Sequence, residues 1–180
     1  GSQTFTWNAS DANGDQMTFS LLYRGEGEAE WKRAISGILE ASYLWDTTKV
    51  PDGLYRARLV ATDRPSNPSG TELEGGQSSE LFVVDNTAPQ IDKLSAIDES
   101  GVVRVTGVAN DATSLIRAME YAVDGGEWHA VLPADGLPDA GSEAIEFTTM
   151  TLEPGEHTIV VRITDTALNS GTGRVVITVE

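Results

Sequence analysis

The 180-residue chain contains no cysteine, which excludes disulfide staples, thiolate catalysis and Cys-ligated zinc or iron-sulfur centres. It has no run of roughly 18 apolar residues that could cross a bilayer as a helix, and no basic-then-apolar opening that reads as a secretion signal. Positive charge is scarce: 12 Lys and Arg stand against 28 Asp and Glu, a formal charge of −16. Such a surface repels phosphate backbones and anionic headgroups, so neither nucleic acid binding nor membrane insertion is expected. Surplus carboxylates instead make a divalent cation the small partner to look for. Catalytic motifs are missing too. There is no HExxH, GxSxG or phosphate-binding glycine loop, and no motif sets a nucleophile or acid beside His129 or His157. The chain is therefore expected not to be an enzyme, although carboxylate pairs of the glycosidase kind are defined only in space.

What is present is alternation. Apolar residues recur at every second position in Phe5 and Trp7, Met17 to Tyr23, Tyr55 to Ala61, His157 to Ile163 and Val175 to Val179, the pattern of strands with one buried and one wet face. The segment SLIRAMEYA could read as helix, but the VDGGEW turn after it and its match to the first half favour strand. Pro-Gly, Asn-Gly, Asp-Gly and Gly-Gly pairs separate the strands as turns do.

The pattern occurs twice. GLYRARLVATDRPSN (residues 53 to 67) answers GEHTIVVRITDTALN (155 to 169). In the same order Asp11 answers Asp111, Trp31 answers Trp128, Asp63 answers Asp165 and Asn67 answers Asn169, at offsets of 100, 97, 102 and 102. Offsets that drift only between motifs are those of a duplicated domain with loop insertions. VVDNTAPQI (83 to 91), with Pro89, supplies a short interdomain link. The expected domains are residues 1–86 and 87–180, both antiparallel β-sandwiches in an all-β chain.

The first half resembles a fibronectin type III domain, with Trp7 on strand B, Tyr23 on strand C, Trp45 in the core of strand E and Tyr55 at a tyrosine corner. YRGEGEAEWKRAI and ASYLWDTTKVPDGLYRARLVATD are similar to the Y-Y-Y type found after β-propellers in bacterial sensor and surface proteins. Little sequence precedes Thr4, so strand A of this domain is expected to be short or missing. The second half, with Gly107 and His157 in place of Trp7 and Tyr55, lacks the core tryptophan and the corner tyrosine and resembles bacterial Ig-like domains. This resemblance implies a noncatalytic spacer, docking or adhesion module of a larger extracytoplasmic bacterial protein, whose partners are its neighbouring domains, a β-propeller among them, and a protein or glycan. Gly1-Ser2 looks like a cloning scar, so the chain is read as a C-terminal piece of that protein. Two other readings stand beside this one: an accessory carbohydrate-binding module of a secreted glycan-active enzyme, and a calcium-rigidified linker.

Three features could carry those roles. In SDANGDQ, Asp11, Asn13 and Asp15 alternate as calcium ligands can, although the loop lacks the glycine and distal acid of an EF-hand and also suits a turn around Asn13-Gly14. The acidic insertion at 133 to 144, with Asp135, Asp139 and Glu143, offers a contact surface of the kind long sandwich loops provide. Trp31 and Trp128 could stack on sugars, or simply pack. Asp63 with Asn67, and Asp165 with Asn169, are expected to satisfy the turn after strand F. No cofactor is required; calcium is the one candidate.

Overall fold

The computed structural model describes residues 1–133 and 136–180. Its contacts divide the chain into two compact units, Gly1–Asn86 and Thr87–Glu180.

In the first unit, β1 (Ser2–Thr6) pairs antiparallel with β4 (Ser42–Asp46). The facing sheet runs β3 (Lys32–Ile38), β2 (Thr18–Gly25), β5 (Gly53–Thr62), then β6 (Glu74–Ser78) and β7 (Phe82–Val84), both of which pair with β5. A 3-10 turn at Thr47–Lys49 follows β4, with Asp46 accepting from Thr48 N–H as its cap. The alternating residues supply an aromatic core. Trp45 stacks tilted on Tyr23 at 4.6 Å and meets Tyr55 edge-on at 6.2 Å, and Phe5 meets Phe82 edge-on at 5.6 Å, arrangements that the ring quadrupole favours.

The second unit adds a strand the first does not have among the described residues. Its smaller sheet runs β12 (Ser142–Thr148), β9 (Val102–Asn110), β8 (Gln90–Glu99). The facing sheet runs β11 (His129–Val131), β10 (Ile116–Val123), β13 (Gly155–Asp165), β14 (Ser170–Val179). This is the E-B-A and C′-C-F-G arrangement of an Ig-like sandwich. SLIRAMEYA is strand from Ile116 onward. Its core is aliphatic, built on Val103, Val105, Ile116, Met119, Ile145, Ile159, Val161 and Ile163, with Tyr121 stacked on Phe147 at 4.2 Å.

The two units are thus the same frame with different fillings. Every pairing is antiparallel, and the chain is all-β: two tandem Ig-like, fibronectin III-like sandwiches.

Candidate functional site

The acidic end of the first sandwich is assembled by two loops. Asp11 Oδ1 accepts from the N–H groups of Asn13 at 2.8 Å and Asp15 at 3.0 Å, which holds the Asp11 carboxyl below the usual range, the Asp15 amide contributing most. From the turn after β5, Asp63 is buried at 5 % exposure and accepts from Leu73 N–H at 2.7 Å. Asn67 Nδ2 links the loops, donating to Asp15 Oδ2 at 3.0 Å and to the Asp63 carbonyl at 3.3 Å. One carboxylate oxygen from each of Asp11, Asp15 and Asp63 lies within 4.8 Å of the others, so the three together could hold a divalent cation. Asn13 is exposed and joins through its backbone N–H. Asp63, read from sequence as a turn residue, takes the inner place in this group. The repeated Thr-Asp with Asn four residues on was the available signal, but it does not tell which loop the aspartate faces.

In the second unit the equivalent residues also bond within their own loops. Asp165 accepts from Asn169 N–H at 2.8 Å and Nδ2 at 2.9 Å, while Asp111 accepts from the amides of Thr113 at 2.9 Å and Ser114 at 2.7 Å.

The two tryptophans each carry a guanidinium on one face. Arg24 lies 4.6 Å from the Trp31 centroid and Arg162 lies 4.0 Å from that of Trp128, with Arg162 also bonded through Nε and Nη2 to Glu120 Oε2. A sugar could use only the opposite face. Trp128 is 41 % exposed and Trp31 half-buried, whereas Trp45 lies in the core.

In the 133 to 144 loop, Asp135 lies outside the described residues and Asp139 is exposed. Glu143 differs from a solvent-facing contact residue: it is 6 % exposed, and its Oε1 accepts from the amides of Asp139 at 2.9 Å and Ala140 at 2.8 Å. The carboxylate is consumed in satisfying loop donors that burial would otherwise leave unpaired. Exposed apolar surface here comes from Leu132 and Leu137 instead.

The corner of strand F is built by different residues in the two units. Tyr55 donates its hydroxyl to the Pro51 carbonyl at 2.7 Å, and burial raises its phenol above the ordinary value. The second unit lacks the corner tyrosine, as its sequence indicates, and a histidine makes the equivalent contact. His157 Nε2 lies 2.8 Å from the carbonyl of Glu153, also four residues back, and Nδ1 lies 2.6 Å from Asp124 Oδ2. A carbonyl and a carboxylate only accept, so both contacts are hydrogen bonds together only when both ring nitrogens carry hydrogen, an arrangement that favours the imidazolium form. The Glu153 carbonyl and then Asp124 raise its pKa. The Asp124 carboxyl is lowered, chiefly by Thr158 N–H and next by His157. His129 stacks on Tyr121 at 5.2 Å.

No family model matches the chain, and no curated protein matches it. Among solved structures it is similar to the FN1-FN3 domains of chicken CNTN1, at 17 % identity and TM-score 0.44, over 99 % of this chain and 62 % of that one. It is also similar to the fibronectin(III)-like modules of Clostridium thermocellum CbhA, at 16 % identity and TM-score 0.47, over 99 % and 85 %. A third likeness is to dimeric latent PorU of Porphyromonas gingivalis, at 13 % and 0.43, over 91 % of this chain and 20 % of that one. The chain therefore spans less than two thirds of the CNTN1 fragment. The fold assignment rests on strand order and pairing, to which these distant likenesses add nothing.

Proposed function

We propose that the chain is a noncatalytic spacing and docking module of a larger extracytoplasmic protein, engaging neighbouring domains or a protein partner through sheet edges and loops. The observation that carries this reading is the doubled frame. The residues common to both copies, Asp63 with Asn67 and Asp165 with Asn169, are bonded within their own turns and end loops, while the copies differ at strand edges and in the 133 to 144 loop. Surface apolar residues such as Leu44, Leu132 and Leu137 suit protein contact better than chemistry. Photo-crosslinking residues placed at Leu44 and Leu137 in the parent protein test it. Crosslinks to another domain or protein support the module; their absence, together with turnover of glycoside, ester or phosphoester substrates by the chain itself, would overturn it.

A calcium-rigidified module is the second reading, favoured by the convergence of Asp11, Asp15 and Asp63. It predicts that calcium raises the melting temperature and that Asp11→Ala removes the rise. A glycan-binding role would leave one indole face for stacking, and a glycan array with Trp31→Ala and Trp128→Ala distinguishes it.

A further inference from the structure

The outward faces of the two larger sheets differ in charge. On β2, Leu21 and Tyr23 point into the core, so Leu22 and Arg24 alternate outward; on β5, Arg56 and Arg58 alternate outward around the buried Ala57. Strand register sets these side chains in two rows. Leu22 pairs with Arg33 of β3 on one side and with Arg58 of β5 on the other, and Arg24 pairs with Arg56. Four of the chain's 12 basic residues therefore share one face of a protein whose formal charge is −16.

In the second unit the same two rows are neutral. Glu120, which like Leu22 precedes an inward tyrosine, pairs with Ala130 and Arg162 and accepts from Arg162 Nε at 3.0 Å and Nη2 at 2.7 Å. Ala122 pairs with Val160, where the first unit sets Arg24 against Arg56. The first unit has Leu22 in the place of that acid. Among the described residues the exposed Arg33 and Arg58 form no ion pair. Arg56 Nη1 bonds the Ser79 carbonyl at 3.0 Å and lies 3.8 Å from Glu80, whose side chain is fully exposed. Arg24 lies over Trp31, and Glu28 is engaged by Lys32 and the Gly25 N–H. Like charges held opposite one another on neighbouring strands are destabilising, and a bound anion relieves that repulsion.

We propose that this face docks an acidic, extended segment of a partner polypeptide whose carboxylates occupy alternate positions. The two rows lie two residues apart along β2, about 6.8 Å, which is the repeat of side chains on one side of an extended chain. Guanidinium forks pair with carboxylates in plane and bidentately. Arg24 and Arg56 border a cavity of about 310 Å³, which Glu26 and Glu28 also line; one carboxylate reaches the two arginines there, and the next reaches Arg33 or Arg58. Leu22, half-buried between those two, suits an aliphatic peptide side chain better than a hydroxylated sugar ring. The inference deepens the docking reading and rests on it.

The test titrates the full chain with the peptide TETETETE and follows the amide signals of Leu22, Arg33 and Arg58. TTTTEEEE, of equal charge, and TKTKTKTK are the comparisons. Expected are saturable shifts at low salt, weaker binding of the block peptide, silence of the lysine peptide, and roughly ten-fold weaker binding of TETETETE between about 20 and 200 mM salt. Arg58→Gln should weaken binding roughly two- to five-fold. Leu22→Glu, which gives the first unit the acid that the second has in Glu120, should weaken it about ten-fold through like-charge repulsion. Neither substitution should lower the melting temperature. The inference is overturned by silence of TETETETE at millimolar concentration, by equal binding of the block peptide, or by shifts indifferent to both substitutions. Tighter binding of polygalacturonate through the same arginines would also overturn it, in favour of an anionic glycan. None of these touches the docking reading, which the crosslinks at Leu44 and Leu137 test separately.

Discussion

Replacing Gly171 and Gly75 by alanine should have opposite consequences although the two occupy one register position. At Gly171 the new Cβ would lie 1.9 Å from a backbone oxygen, where ordinary contact begins at 3.4 Å. Either Pro89 or β14 must therefore move by roughly 1.5 Å, and neither is the end of a flexible side chain. Overpacking of that kind costs about 2 to 3 kcal/mol. For a unit of this size it lowers the melting temperature of the second sandwich by roughly 10 to 20 °C. At Gly75 nothing lies within 4 Å, so Gly75→Ala should be neutral or stabilise by up to ~1 kcal/mol through the unfolded chain. Thermal unfolding followed by methyl signals of Val103 and Ile159 for the second unit, and Leu21 for the first, separates the two. Equal destabilisation by both substitutions would refute the difference in packing at the two glycines.

Tyr55→Phe removes the bond to Pro51 and should cost about 1 kcal/mol, read as a lower midpoint of the first unit in denaturant. The His157 corner should make the second unit sensitive to pH. A raised histidine pKa contributes stability that is complete below about 6.5 and is lost as pH rises through the folded value. Asp124, being lowered, contributes above about 3.9 and loses its share as pH falls below that. The melting temperature should therefore decline above neutrality, and His157→Tyr, which rebuilds the corner without a titrating ring, should abolish the decline. Arg162→Ala uncovers Trp128 and breaks the contact to Glu120; it should change the emission of Trp128 and cost about 0.5 to 1 kcal/mol.

The strands and the division into two sandwiches were legible because period-two alternation and turn chemistry are local properties of the chain. The Tyr55 corner was legible for the same reason: its partner lies four residues away. What escaped were choices set by distant residues. The contacts that His157 makes in place of the tyrosine were not legible because its second partner, Asp124, is 33 residues away. Glu143 looked like surface acid, since nothing in PADGLPDAGSEA says that two loop amides turn back on it. Asp63 was assigned to its own turn, while its approach to Asp11 and Asp15 depends on how two loops meet at the end of a sandwich.

Hydrogen exchange at the edge of β1 tests the account most directly. Thr4 and Thr6 correspond to Arg104 and Thr106 on β9, which has partners on both sides. The account predicts that the Thr4 and Thr6 amides exchange with opening free energies near zero, while Arg104 and Thr106 exchange only through large openings. Equal protection of the two pairs would contradict the one-sided pairing of β1 with β4 among the described residues.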